Sequence, residues 1–245
     1  MAANKNAIIL CSGGLDSVVT ANYIKGKLKY CKIIILFFNY GQKSLVNERF
    51  YSKKCAKKLK AKFMELNLPE LKKLSPSLIN VSGNVRKLSL KDLKDTKKES
   101  DNWYVPSRNT IFLVYALAIA ESLFIKSKCR EKYDIFVGFK NDGKESFPDA
   151  TKEFVNEMNK LERVSVKKGI KIIAPLIGMD KEDIVNLGVK LNVNFKDTFS
   201  CYISNKLGKQ CGYCLACRLR QEGFYWAGIK DPSEYTIKMK DFRAR

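Results

Sequence analysis

Short apolar runs alternating with stretches of helical spacing constrain the fold of this chain more than any other feature. Ala7–Cys11, Lys32–Phe38, Lys62–Leu66, Tyr133–Val137 and Lys171–Ala174 are strand-like, with Ile33, Ile34, Ile35 and Leu36 at the heart of the second. Ser17–Lys27, Lys43–Lys60, Asn109–Ile125, Asp149–Arg163 and Lys181–Lys190 read as helices. Such alternation implies parallel strands joined by crossover helices. Right-handed crossovers put the C-terminal ends of the strands, and with them any ligand, on one edge. The expected fold is therefore α/β, a parallel five-stranded sheet with flanking helices. Leu68–Trp103 breaks the pattern: it is rich in Lys, Ser and Asp, lacks periodicity, and reads as a long loop or lid. No internal repeat or low-complexity tract interrupts the chain.

The most specific string lies where the first strand meets the first helix: Ser12-Gly13-Gly14-Leu15-Asp16-Ser17. Two adjacent glycines let the backbone turn tightly and aim successive N–H groups at one point. Ser17 opens the helix, where free N–H groups and the helix dipole favour an anion. The hydroxyls of Ser12 and Ser17 add donors for a phosphate. Asp16 is out of place beside an anion unless it holds a metal ion or a neighbouring N–H, and a Mg²⁺ bridging it to phosphates resolves the conflict. The string is neither a Walker A loop, since the lysine is missing, nor a Rossmann fingerprint, since the glycine spacing differs.

Length, charge and residue usage narrow the functional classes. A chain of 245 residues can form one α/β domain, or a domain with a small appendage. The longest apolar run, Ile111–Ala120, is too short to span a bilayer and is expected to be a buried helix. No secretory signal is visible at the N-terminus, so a cytoplasmic protein without a membrane partner is expected. The net charge of +21 comes largely from lysines spread along the chain. Spread charge gives non-specific attraction without readout, and it would attract ATP and an anionic substrate as readily as nucleic acid. There are eight cysteines and no histidine. Any metal site must then use thiolates or carboxylates, and proton transfer must use carboxylates, Lys, Tyr or the substrate itself.

Cys201, Cys211, Cys214 and Cys217 form the pattern C-x9-C-G-Y-C-L-A-C. Four thiolates so spaced can close a tetrahedron around Zn²⁺, with Gly212 permitting the tight turn. Iron–sulfur sites also use successive C-x-x-C steps, so spacing alone leaves the metal open. Zinc is favoured because four sulfurs fill its coordination and leave no open position, which makes the site structural. Arg218 and Arg220 are expected to offset the charge of such a centre. Cys11, Cys31, Cys55 and Cys129 lie in apolar or helical stretches, where core packing is their default role.

The glycine-rich string resembles the PP-loop, S-G-G-x-D-S, of N-type ATP pyrophosphatases. With the cysteine pattern, the chain from Ile8 to about Phe224 resembles the 7-cyano-7-deazaguanine synthase family of the queuosine pathway. Phe38-Asn39-Tyr40-Gly41-Gln42 matches the family segment after the second strand, and Val105-Pro106-Ser107-Arg108-Asn109 resembles its V-P-G-R-N. Phe147-Pro148-Asp149 resembles Y-P-D, Pro175-Leu176 with Asp180-Lys181 resembles P-L…D-K, and Thr198-Phe199-Ser200-Cys201-Tyr202 matches the zinc segment. The resemblance implies a HUP-like PP-loop domain over residues 1–195 and a zinc-binding C-terminal segment, 196–245, packed on it. It implies an ATP-dependent carbon–nitrogen ligase that adenylates 7-carboxy-7-deazaguanine and couples it to ammonia, with ATP, Mg²⁺ and a structural Zn²⁺. Ser12, Gly13, Gly14, Leu15, Asp16, Ser17, Tyr40 and Gln42 would then border the nucleotide. Asp16, Ser17, Arg108 and Lys181 would serve catalysis, the last two by stabilising phosphate charge. Arg108, Asn109, Phe147, Pro148 and Asp149 would meet the deazaguanine: Phe147 by stacking, Asp149 by accepting from its N–H edge or else by capping the next helix. A homodimer is expected.

The sequence departs from the family in two places. Asn141-Asp142-Gly143-Lys144-Glu145-Ser146 stands for E-x-D-F/Y-S-G, and Gln42-Lys43-Ser44 for Q-R-H. The resemblance places both beside the reacting carboxyl and the incoming amine. Two other readings follow: a synthase-like protein of an anti-phage operon that joins the acid to an amine of a partner protein, or a tRNA-thiolating PP-loop enzyme. A non-enzymatic zinc-stabilised binding module would leave the phosphate loop without a purpose.

Overall fold

The run that opens the chain becomes β1 (Asn6–Leu10), buried from Asn6 to Ile9. In the computed structural model, which describes residues 5–94, 96–140, 147–166, 169–239 and 241–243, β1 is the centre of a five-stranded sheet. Its order is β3 (Lys62–Asn67), β2 (Ile33–Asn39), β1, β4 (Tyr133–Phe136), β5 (Ile172–Ile173). Every pairing is parallel, with Ile8 opposite Ile34 on one side and Ile135 on the other. The chain builds outward from β1 to β3, then returns to β1's free edge for β4. That reversal opens a crevice beyond the C-terminal ends of β1 and β4, where such sheets bind ligands.

Successive strand residues face opposite sides of the sheet, so each strand feeds two cores. Ile8, Ile34, Leu36 and Ile135 pack with α5 (Arg108–Lys126), α6 (Lys152–Ser165) and the C-terminal segment. Ala7, Ile9, Ile33 and Ile35 pack with α1 (Leu15–Gly26) and α2 (Leu45–Leu59) through Val18, Ala21, Ile24, Cys55 and Ala56. A third cluster joins α1 to α7 (Lys181–Lys190) and α8 (Leu215–Trp226) through Val19, Ile184, Val185 and Phe224. Gly223 lets α7 and α8 close together: a Cβ there would stand 2.2 Å from Lys181 Cγ.

Three expectations are corrected. Residues 68–103, expected as a long loop or lid, do keep an irregular stretch over 75–90, but they are anchored. They contain α3 (Pro69–Leu74) and α4 (Lys97–Trp103), and they sink Leu71, Ile79, Leu88, Leu93 and Trp103 into the core. Those anchors follow no period because the segment drapes over other elements instead of forming one. The apolar helix α5 is buried on one side only: Leu113, Ala116, Leu117 and Ala120 face inward, while Val114, Tyr115 and Ile125 are exposed. Its 19 residues are long and apolar enough, by length and composition, to cross a membrane, yet its inner face packs as a core helix does. Cys31 and Cys129 are exposed, not core residues, since both sit in turns at strand and helix ends; Cys11 and Cys55 are buried.

Candidate active site and metal centre

Cys11 to Gly14 link β1 to α1. Gly13 takes φ +77, a region L side chains rarely adopt, and a Cβ there would lie 2.6 Å from Tyr51 Cβ and 2.8 Å from Ser52 N. Gly14 is the N-cap of α1 and carries no capping side chain, so the first N–H groups of the helix stay available. The loop is braced internally: Ser12 Oγ accepts from Gly14 N–H at 3.4 Å, and Ser17 Oγ donates to the Gly14 carbonyl at 3.1 Å. Two further segments press on it. Phe199 N–H donates to the Gly13 carbonyl at 2.8 Å, and a Cβ on Gly138, just beyond β4, would stand 3.0 Å from Ser17 Cα.

This loop is one wall of a cavity of about 300 Å³. Of the residues expected at the nucleotide, Ser12, Gly14, Leu15, Asp16, Ser17 and Tyr40 line it; of those expected to serve catalysis or the deazaguanine, Arg108, Asn109, Phe147 and Lys181 do. Residues separated by more than 160 positions thus share one space. Lys181, at the first position of α7, reaches Asp16 with 2.8 Å contacts to both carboxylate oxygens. The aspartate expected to hold a metal and the lysine expected to meet phosphates therefore hold each other here. Arg108 Nη1 donates to Tyr40 Oη at 3.4 Å, and its guanidinium lies 5.8 Å from the centre of that ring. Burial pushes the Tyr40 phenol up to about 12, so it is a neutral partner. Phe147 lies near-parallel to Tyr104, with ring centroids 6.3 Å apart.

Gly13, Gln42, Pro148 and Asp149 do not line the cavity. Gly13 acts through backbone shape. The Gln42 side chain is buried and fully engaged: Nε2 donates to the Phe38 carbonyl and to Glu48, and Oε1 accepts from Tyr40 N–H, each at 3.0 Å. Asp149 accepts from Asn109 N–H at 3.1 Å and from Asn109 Nδ2 at 3.2 Å. It therefore caps the start of α5, where Ser107, at φ +53, makes no side-chain cap. The helix after it is capped by Thr151, whose Oγ1 accepts from Phe154 N–H at 3.0 Å. Burial raises the Asp149 pKa, against the pull of Asn109 and Arg108. The divergent stretch 141–146 lies outside the described residues.

The sulfurs of Cys201, Cys211, Cys214 and Cys217 all lie within 4.8 Å of one another, and all four residues are buried. A tetrahedron with Zn–S bonds of about 2.3 Å has edges of roughly 3.8 Å; Cys211 and Cys217 Sγ stand 3.8 Å apart. Backbone N–H groups of Ser204 and Cys211 point at Cys201 Sγ (3.3 and 3.4 Å), and those of Tyr213 and Cys214 at Cys211 Sγ (3.4 and 3.3 Å). Such donors favour thiolates; the contacts among the four sulfurs draw the Cys201 pKa down, while burial pushes those of Cys214 and Cys217 up. The donor set fits a metal held by four sulfurs. Gly212, at φ +82, makes the turn, and a Cβ there would fall 1.7 Å from the Ile237 carbonyl oxygen.

Of the two arginines beside the cluster, Arg220 differs from expectation. Arg220 is wholly buried and pairs with Asp231 at 3.1 and 3.2 Å, with further bonds to Thr198 Oγ1 and the Phe195 carbonyl. Its charge is answered by Asp231, because a buried guanidinium needs its own counter-ion. Arg218 Nε donates to the Leu88 carbonyl at 2.8 Å, and its pKa falls through burial while the nearby thiols raise it. Asp231 carried no motif, and only the pairing with Arg220 across the C-terminal segment reveals it. Two residues at the cavity were likewise not expected there. Cys11 lies on its floor, where a hydrogen bond with Cys55 brings the thiol down to about 7 in spite of burial. Glu48, on the first turn of α2, also lines the cavity. Its only trace in the sequence is helical spacing from Ser44.

The family model for queuosine biosynthesis protein QueC matches residues 6–228. A 7-cyano-7-deazaguanine synthase of Methanosphaera stadtmanae is 34% identical over 232 residues, covering 94% of this chain and 97% of that protein. One from Coxiella burnetii is 36% identical over 245 residues, covering 96% and 100%. Among solved structures, a 4-thiouridine synthetase in complex with RNA and ATP is similar at a TM-score of 0.44 and 14% identity, over 90% of this chain and 53% of that one. That likeness is too slight to bear on substrate. The glycine loop, the cavity and the four-sulfur cluster occupy one continuous match to full-length synthases, and the chain belongs to the queuosine biosynthesis protein QueC family.

Proposed function

We propose that this chain is an ATP-dependent carbon–nitrogen ligase that adenylates 7-carboxy-7-deazaguanine and couples it to ammonia, ending at 7-cyano-7-deazaguanine. The supporting observation is the single cavity that joins the loop Ser12–Ser17 to Arg108, Asn109 and Phe147. A phosphate-binding helix start and a flat aromatic wall in one space suit the transfer of AMP to an acid on a planar base. The free N–H groups of α1, with Ser12 and Ser17, bind the pyrophosphate end of ATP. Arg108 and Lys181 stabilise charge on the transferring phosphate, and Lys181 exchanges Asp16 for that phosphate. Asp16 would hold Mg²⁺, which would supply charge neutralisation on the pyrophosphate. Phe147 orients the base by stacking. Asp149 acts by holding Asn109 and the start of α5 in place, and Gln42 by holding Tyr40.

The four cysteines hold Zn²⁺ as a structural centre. Residues 1–195 form the catalytic domain and 196–245 the segment that closes one side of it. The exposed apolar face of α5 is the contact of a homodimer, which light scattering of a Val114→Glu variant tests. The cytoplasm, where ATP and Mg²⁺ are available, is the expected compartment.

The test is incubation with the acid, ATP, Mg²⁺ and ammonium. AMP and pyrophosphate released in proportion to the acid, with nitrile detected by mass spectrometry, supports the reading. Release of ADP ends it. Acid-dependent AMP without the nitrile would move the amine to a partner protein.

A further inference from the structure

The carboxylate of Glu48 is set into the cavity wall by a buried bracket. One oxygen accepts from Ser44 Oγ, and the other from Gln42 Nε2 at 3.0 Å. Ser44 and Gln42 are themselves 0% and 3% exposed, and Gln42 is fixed at its far side by the Phe38 carbonyl and Tyr40 N–H. Those anchors fix the direction of the carboxylate yet use only two of its roughly four lone-pair sites. The rest remain for a ligand in the same cavity as Ser12–Ser17 and Arg108. Among the described residues Glu48 forms no ion pair. The ionisable groups facing it are Arg108 from α5 and the Cys201 thiol from the C-terminal segment, with Tyr40 close to Arg108. Burial pushes its pKa up, while Ser44, Gln42 and Arg108 hold it back.

A carboxylate held this way in a reaction cavity, with no resident cation bonded to it, suits a small cationic donor of hydrogen bonds. The proposed reaction has such a participant. Ammonium, like a lysine ammonium, is protonated at neutral pH and has no lone pair until it loses a proton. The chain has no histidine to take that proton. We infer that Glu48 forms an ammonium-binding subsite and takes the proton that frees ammonia to attack the adenylated acid. The inference rests on the function proposed above. Ammonium gives one proton to the Glu48 carboxylate. The freed nitrogen pair forms the C–N bond, and the acyl C–O bond breaks with its electrons leaving on AMP. A second proton leaves the nitrogen for solvent, so two of the four hydrogens remain in the amide. A raised carboxyl pKa makes Glu48 a better base for this step.

The experiment compares the full-length protein with Glu48→Gln and Glu48→Asp, each checked for unchanged metal content and melting temperature. Two half-reactions are read separately: acid-dependent exchange of pyrophosphate into ATP, which needs no amine, and amide formation across ammonium concentration and pH. In Glu48→Gln, amide formation at low ammonium is expected to fall about 100-fold, the ordinary worth of a general base. Exchange falls less than about threefold, since the lost contact belongs to the second half-reaction alone. Raising the pH, so that solution supplies free ammonia, restores the variant. So does hydroxylamine, which is neutral at the assay pH and needs no base. Glu48→Asp recovers part of the rate, and serves alone if Glu48→Gln does not fold. Wild-type amide formation and ammonium KM in Glu48→Gln would overturn the inference, as would equal losses in both half-reactions. Absence of exchange in the unmodified protein would instead overturn the adenylation reading, and this inference with it.

Discussion

The phosphate loop and the C-terminal segment touch through the 2.8 Å bond from Phe199 N–H to the Gly13 carbonyl, yet they are built on opposite terms. In the loop the backbone makes the shape, and the polar groups of Ser12, Asp16 and Ser17 turn toward a cavity. Its ion pair, Asp16 with Lys181, is partly exposed on both sides (27% and 15%) and so can be exchanged for a ligand. In the C-terminal segment the polar groups of Arg220 and Asp231 are satisfied inward. Arg220 and Asp231 are 1% and 3% exposed, and the four cysteines are buried together. A site that must accept and release a ligand keeps bonding capacity open. A site that holds a fold together spends that capacity permanently.

The sharpest way to break this contrast is Cys214→Ser. Structural zinc contributes on the order of 10–16 kcal/mol of binding free energy that is also folding free energy. The variant should lose its metal and its cooperative melt; one that kept both would show the cluster to be dispensable. Arg220→Met comes next. It leaves Asp231 buried without its partner, at a cost of about 3–5 kcal/mol. That corresponds to a melting temperature about 10 °C lower. A thermally neutral variant would place Arg220 with the exchangeable groups. Asp16→Asn is expected to do the reverse: acid-dependent exchange falls about 100-fold, while the melt stays within about 2 °C because a pair still open to solvent contributes little. A large drop in melting temperature would erase the distinction between the two regions.

The smallest effect lies at their junction. Asp197 is held by Lys54 at 2.7 Å and by Lys58. Burial pushes its pKa up, but the two lysines bring it below the ordinary 3.8. A depressed carboxylate stabilises the fold fully above the unfolded value and loses that contribution as pH falls through the folded one. Asp197→Asn should therefore cost under about 1 kcal/mol at pH 7, the lysines being exposed. Urea melts should show a smaller difference from the parent chain near pH 2 than at pH 7. An equal deficit at both pH values would mean that packing, not charge, is what Asp197 supplies.

The loop and the cysteine cluster were legible because each chemistry is written in a contiguous string. Adjacent glycines before a helix and C-x-x-C steps need no distant residue to be recognised. The strands were legible too, since burial on both faces leaves a continuous apolar run such as Ile33–Leu36. Glu48 and Asp231 were not, because one acid in a lysine-rich chain is indistinguishable from a solvated one until its neighbours are known. For Asp149 the capping alternative to a place at the deazaguanine pointed to the helix that follows it, by proximity in sequence; the helix it caps is α5, 40 residues earlier. The short strands β6 (Lys209–Gln210) and β7 (Glu234–Tyr235) exist only through their pairing and leave no period to read.

The amino-acid order by itself determined the parallel sheet, the turn that exposes the start of α1 and the four sulfur donors, because each follows from local geometry and burial along consecutive residues. Only the tertiary structure decided which charges remain open and which are spent. Lys181 meets Asp16 across 165 positions, and Arg220 meets Asp231 across a turn of the C-terminal segment. Whether an ionisable group is a ligand, a base or a strut depends on its solvation and its nearest opposite charge. Both are properties of the folded surroundings, which no stretch of neighbouring residues contains.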